Sequence, residues 1–266
     1  MGFGFAFGCL VILAATVLWP NIGEAQSVPP AMDLPHELTS AERESDQSTT
    51  AKDLVPDILR HQKSIWTFPF HVGEHLKPAI AVSVSTAALV ALDPYVAPHF
   101  QNSRFDVYKT GALRKQTMAL TIAAVPVVTY LGGLLRKDEY AQETGLLAAE
   151  AIADTLIVST VIKGITGRTF PVQIPSQGDF TRTWFKYTGP AHDPGSFPSG
   201  HAISAFAAAA VYSSRYRHHR WAPFVAYGLA SLVSLTRIPD QTHFPSDVFA
   251  GAALGYTIGK FVVVRH

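Results

Sequence analysis

From residue 76 onward the apolar positions gather into long runs instead of alternating with polar ones. The runs cover approximately 78–92, 117–135, 144–162, 202–213, 222–236 and 247–264, are rich in Ala, Val and Leu, and are separated by short polar turns. A half-buried strand would show a period of two, and none is present. The pattern therefore predicts an all-α chain: a helical bundle of about six apolar helices over residues 76–266. The last run places Gly251, Gly255 and Gly259 on one stripe at four-residue spacing. Such a stripe lets another helix come close, and each glycine weakens its own helix, so the space is expected to be used.

Ahead of the bundle, residues 54–75 carry Leu54, Ile58, Ile65, Trp66, Phe68 and Phe70. They read as an amphipathic segment that packs on the helical body or rests on a membrane surface, packing being the favoured reading. Residues 26–53 are rich in Ser, Thr, Pro and acidic groups and read as a polar linker. Residues 1–25 hold an apolar stretch at 3–19 that ends near Gly23-Glu24-Ala25, without Lys or Arg at its start. This fits a signal peptide or an uncleaved N-terminal anchor, and either one exports the segment after it.

A bilayer span needs about twenty apolar residues. The second run meets this; the first and fourth look short; the third contains Glu150 and Asp154, which are expensive in lipid unless they face the bundle. A membrane bundle and a secreted helical protein both remain open. If run 78–92 packs without crossing, the turns at Arg136-Lys137 and Arg215–Arg220 and the terminal Arg265 fall inside. The opposite end then faces the periplasm, as the positive-inside rule asks.

Composition narrows the chemistry. The formal net charge is +1, which gives no electrostatic case for nucleic acid. The single cysteine, Cys9, excludes a disulfide framework or cysteine metal site, and His36, His61, His71 and His75 lack ligand spacing. His218-His219, within Arg215–Arg220, reads as a surface turn.

Three clusters at the edges of apolar runs carry the candidate chemistry. Lys163 is followed by Gly167-Arg168 and Pro171; Pro198-Ser199-Gly200-His201 opens the run at 202; Arg237 is followed by His243 and Asp247. Ser199 suits an N-cap, so the N–H groups of Ser199, Gly200 and His201 are expected to converge on an anion with a helix dipole behind them. His201 would sit beside that anion as a proton donor. Pro245 fits the first position of the next helix, which puts Asp247 in the first turn. From there the carboxylate can reach back and orient His243 as a nucleophile. Lys163, Arg168 and Arg237 add the positive charge that phosphoryl transfer needs.

These motifs resemble the signature of the type 2 phosphatidic acid phosphatase and vanadium haloperoxidase superfamily: Lys-x6-Arg-Pro, Pro-Ser-Gly-His, then Ser-Arg-x5-His-x3-Asp. The likeness covers roughly residues 77–264. It implies a helical bundle with the active site at one end. It also implies a phosphatase acting on a phosphate monoester or diphosphate, of a lipid, through a phosphohistidine. In that case Lys163, Ser199, Gly200 and Arg237 bind phosphate, His201 is the acid, His243 the nucleophile and Asp247 its partner. No cofactor is implied for a phosphatase, with vanadate as inhibitor. A vanadate-dependent haloperoxidase, holding vanadate as prosthetic group, is the enzyme alternative; a degenerate phospholipid-binding member is the other. The implied partners are a phosphorylated lipid and the membrane, and the implied location is the cell membrane or periplasm.

Two positions depart from the signature. Thr236 stands for the serine of the third motif, a mild change. Phe170 stands where the first motif has its arginine and cannot provide a bidentate oxygen clamp. Arg168, two residues earlier, is either its replacement at the phosphate or a loop-stabilising residue. Arg182, Lys186, His192 and Asp193, between the first two motifs, read as solvated loop charge.

Overall fold

A computed structural model describes residues 50–67, 76–101, 115–186 and 195–264. Among them every regular element is helical: α1 (Leu54–Thr67), α2 (Leu76–Gln101), α3 (Lys115–Arg136), α4 (Glu139–Thr166), α5 (Gly200–Arg215), α6 (Ala222–Leu235) and α7 (Pro245–Thr257). A 3-10 turn spans Pro171–Gln173, and α7 continues as a π-helical segment, Ile258–Val263. The all-helical expectation holds. Residues 1–49, with the signal-like stretch and most of the linker, lie outside the described residues, as do Phe68, Phe70, His71, His75, His192, Asp193 and Arg265.

The centre of the bundle is α5 against α4 and α7. α5 is buried from His201 to Tyr212, with Phe206 alone half-buried in that stretch. Its small side chains leave room for α7, and the glycine stripe fills that room. A Cβ at Gly251 would lie 2.8 Å from the Ser199 carbonyl oxygen, and one at Gly255 or Gly259 would collide with the carbonyls of Ile203 or Ala207. The two backbones are in contact, as the spacing predicts. This contact fixes where the second and third motifs stand relative to each other.

Helix α4 starts on Asp138, whose side chain accepts from Ala141 N–H at 3.0 Å, and ends at Gly167 in the left-handed region (φ 46°). The Gly167 N–H closes on the Lys163 carbonyl at 2.9 Å. That cap ends the helix one turn after Lys163 and turns the chain sharply into the first motif. Glu150 and Asp154 face into the bundle, where both are buried. Asp154 receives His61 Nδ1 at 2.9 Å and Gln62 Nε2 at 2.8 Å, and thereby docks α1 on α4. The amphipathic segment packs on the body through this polar contact and Ile65, while Val55, Leu59 and Trp66 stay exposed.

The first run is longer than its apolar pattern suggests. α2 continues through Pro94 and Pro98 to Gln101, 26 residues in all. Proline removes one helix hydrogen bond without necessarily stopping the chain, and here the freed end is tied down. The Gln101 side chain donates to the Pro171 and Ile174 carbonyls at 3.2 and 2.8 Å, and Gln241 Nε2 donates to the Phe100 carbonyl at 3.0 Å. Among the described residues three helical stretches, Leu76–Gln101, Gln116–Arg136 and Glu139–Gln173, are long and apolar enough to cross a membrane. Only 6% of the apolar window of the first is buried within the protein, against 50% for the third. Val84, Leu92, Leu120, Val127, Leu131 and Leu135 point outward, an apolar surface wider than a water-facing bundle ordinarily keeps.

Candidate active site

The three motifs meet at one end of the bundle, around a cavity of about 300 Å³. Lys163, Gly200, His201 and His243 line it, together with Phe170, Ser204 and Thr242. The rest of the wall is apolar: Ala119, Ile122 and Ala123 from α3, Ile152 and Leu156 from α4. Ser199, Arg168, Arg237 and Asp247, the other residues expected at the site, stand behind this lining.

His243 owes its place to backbone contacts. Its N–H and that of Thr242 both bond to the Arg237 carbonyl at 3.2 Å, which folds the loop between α6 and α7 back on itself. The ring Nδ1 lies 2.8 Å from the Ser196 carbonyl, to which it donates, and 3.7 Å from Asp247 Oδ2. With Nδ1 carrying the proton, Nε2 is left as the basic nitrogen. The sequence reading has Asp247 orienting the imidazole directly; in the structure Ser196 makes the close hydrogen bond and Asp247 is a neighbouring charge. Asp247 is instead the third residue of α7, where its Oδ2 accepts from the Phe244 N–H at 2.9 Å, a first-turn cap. Burial lowers the His243 imidazole below its usual pKa, Asp247 opposes that shift, and Lys163 adds to it. For Asp247, burial alone would raise the carboxyl, but its interactions with His243 and Arg168 prevail and hold it below the usual range.

Ser199 is the N-cap of α5, its hydroxyl accepting from Ala202 N–H at 3.4 Å. Its own N–H bonds to the Asp247 carbonyl at 3.0 Å, so it is committed to α7 and does not join the expected converging set. Gly200 and His201 are the first residues of the helix and do line the cavity. The Lys163 ammonium donates to the Gly195 carbonyl and stands 5.6 Å from the centre of the Phe170 ring. The same ring is 6.0 Å from that of His243, centre to centre. Phe170 thus neighbours both the cation and the imidazole.

Arg168 is not at the cavity. Its guanidinium is buried and bonds to Asp247, Asp93, Ser246 and Thr183. Of the two readings open for it, the contacts support the one in which it stabilises the surroundings of the site. Arg237 is fully buried beside Asp240, with Nη1 3.2 Å from Oδ2, and bonds to the Thr236 hydroxyl through Nε and Nη2. Of the three expected cations, Lys163 is the one that lines the cavity. Arg182 is 85% exposed and paired with Asp179, as solvated loop charge should be.

Sequence reasoning missed Gly195, Ser196 and Asp93. Gly195 has φ 131°, a backbone shape that other residues rarely adopt, and lies against the Arg168 backbone. Ser196 N–H bonds to the Arg168 carbonyl at 2.8 Å, which sets its own carbonyl beside His243. In the sequence, the Pro-Gly dipeptide just before the second motif was a visible signal for this bend. Asp93 had none, since it stands just past the end of an apolar run, 75 residues from Arg168.

Fold and site together define a helical-bundle protein with two histidines, a lysine and a helix start around one cavity. Residues 144–266 match the family model of the PAP2 superfamily. The expected likeness is therefore established for that stretch, while α2 and α3 lie before it. The lipid A 1-phosphatase of Porphyromonas gingivalis is 38% identical over 66 residues, 24% of this chain and 15% of that protein. The lipid A 4'-phosphatase of the same organism is 28% identical over 117 residues, 44% of this chain and 48% of that protein. The lipid A 1-phosphatase of Rhizobium etli is 36% identical over 102 residues, 37% of this chain and 40% of that protein. The chain spans less than half the length of each of these relatives. No solved structure matches significantly.

Proposed function

We propose that this chain is a membrane phosphatase that removes phosphate from a phosphorylated lipid through His243. The observation that carries this reading is the hydrogen bond that fixes that imidazole. Nδ1 is committed to the Ser196 carbonyl, and burial favours the neutral ring, so Nε2 is a nucleophile beside a cavity that Lys163 and the start of α5 make fit for an anion. In the first step Nε2 attacks phosphorus, the N–P bond forms and the P–O bond to the alcohol breaks. The departing alkoxide takes a proton from His201. In the second step water gives a proton to His201 and attacks phosphorus, the N–P bond breaks and phosphate leaves, so that both histidines return to their starting states. Lys163 and the α5 dipole stabilise the charge on the phosphoryl oxygens, so that no metal ion is required.

The apolar wall from α3 and α4 and the outward apolar faces of α2 and α3 support a lipid substrate reached from the bilayer. Relatives named for lipid A phosphate removal support the same class. We place the site on the outer face, because Arg136, Arg215 and Arg217 lie at the opposite end. Since α2 ends beside the site, crossing of the bilayer by α2 would put Leu76 on the inner side. An exported preceding segment and an outer site are then compatible only if α2 does not cross. Phe170 favours a second reading, a phosphate binder without turnover, because it removes an oxygen clamp.

Phosphate release from a panel of phosphatidate, phosphatidylglycerol phosphate, polyprenyl diphosphate and lipid A separates these readings. Release is expected to continue in excess EDTA and to stop with vanadate, which mimics five-coordinate phosphorus at His243. A requirement for added divalent metal would overturn the chemistry proposed, and binding without release would establish the second reading.

A further inference from the structure

Asp93 comes from α2, before the stretch that matches the family, yet it reaches the centre of the site's support. It is fully buried in a helix otherwise exposed along most of its length. A carboxylate so placed needs partners. Its Oδ2 takes Arg168 Nη2 at 2.6 Å and the Ser246 hydroxyl, and its Oδ1 takes the Ser246 N–H at 3.2 Å. On its other side Arg168 Nη1 donates to Ser246 Oγ at 2.7 Å and to Asp247 Oδ1 at 2.5 Å. Thr183 accepts from Nε at 3.3 Å, so each guanidinium nitrogen has an acceptor. The rings of Trp184 and Phe244, 4.4 and 4.0 Å from the guanidinium carbon, close the group off.

We propose that Asp93 and Arg168 are a positioning pair for the nucleophile: Arg168 anchors and partly neutralises Asp247, and Asp93 fixes Arg168, so that His243 takes its orientation from Ser196. The proposal rests on the reading of His243 as nucleophile. An unneutralised carboxylate 3.7 Å from an imidazole would favour the imidazolium, which has no lone pair for phosphorus. Arg168 weakens that pull, while its main chain holds Ser196 in place. Asp93 fixes the guanidinium and also takes up part of its charge. The two members therefore act on His243 with opposite sign. The other ionisable groups around His243 are Lys163 from α4, His201 from α5 across the cavity, and Arg237 and Asp240 in its own loop, these last two paired with each other.

The test uses the full chain in detergent micelles, comparing wild type with Arg168→Gln, Arg168→Lys and Asp93→Asn. NMR titration of labelled histidine reads the pKa of His243 without turnover, and kcat and KM are followed across pH where phosphate is released. Arg168→Gln leaves Asp247 unneutralised, so the His243 pKa and the acid limb of kcat/KM should rise by about one unit. Asp93→Asn frees more of the Arg168 charge, so both should fall. Arg168→Lys should return most of the shift. Misplacement of the nucleophile should lower kcat on the order of a hundredfold in Arg168→Gln, with KM little changed. Shifts of the same sign in both variants, or no shift, would overturn the proposal, and a raised KM with unchanged kcat would put Arg168 on the phosphate instead. Should Asp93→Asn fail to fold, the two Arg168 variants decide it alone. Turnover retained by His243→Ala would overturn the nucleophile reading, an outcome that the NMR arm keeps separate.

Discussion

Two buried carboxylates of this bundle do the same structural job with different consequences. Asp154, midway along α4, docks α1 through His61 and Gln62. Asp93, near the end of α2, docks that helix on the loop and helix start of the site through Arg168 and Ser246. Each ties an outlying helix to the body by a polar contact in an apolar setting, where a lost partner leaves an unsatisfied charge. Only the second reaches, through Arg168, a residue that neighbours His243. A buried polar cluster is thus no guide to function by itself; what matters is whether its charge reaches the reacting group.

The largest effect expected from breaking this contrast is at His243, the proposed nucleophile. His243→Ala should abolish phosphate release, by a factor of about 10⁶ if it behaves like other catalytic nucleophiles. Its melting temperature should stay near that of wild type, and labelled substrate with acid quench should trap an acid-labile, base-stable phosphoenzyme only in wild type. Asp154→Ala should do the reverse. It breaks a buried pair and should lower stability by about 3–5 kcal/mol, as read by denaturation, while kcat/KM per folded molecule stays unchanged. A selective loss of kcat in Asp154→Ala would show that the clusters are not separate in function. At the small end, Arg182→Ala removes a pair that water already screens. Stability should move by less than about 0.5 kcal/mol and kcat/KM not at all; a raised KM would reveal head-group contact from this loop.

How much is legible in the chain depends on the range of the interactions. Helix caps, the glycine stripe and the motif spacings act over a few residues. Ser199 as N-cap, Asp247 in a first turn, and the close approach of α7 to α5 are therefore visible in the sequence. The same local signals bring Lys163, His201 and His243 forward as a set. Local reasoning fails where a donor or acceptor has a distant rival. Ser199 N–H is expected at an anion, and the Asp247 main chain takes it from far along the sequence. Asp247 is expected to orient His243, and Ser196 does so from 47 residues away.

The sequence by itself determined the all-helical class, the polar residues that can do phosphate chemistry, and the end of the bundle at which they gather. These come from hydrophobic period and from side-chain chemistry, which are properties of short segments. Only the tertiary structure decided which of those residues line the cavity and which stand behind it. Cationic and acidic groups compete there for the same few partners, and burial removes water as an alternative. Arg168, lying between two carboxylates, is held by them and not by the cavity, a choice made by charges on α2 and α7 that meet only when the chain is folded.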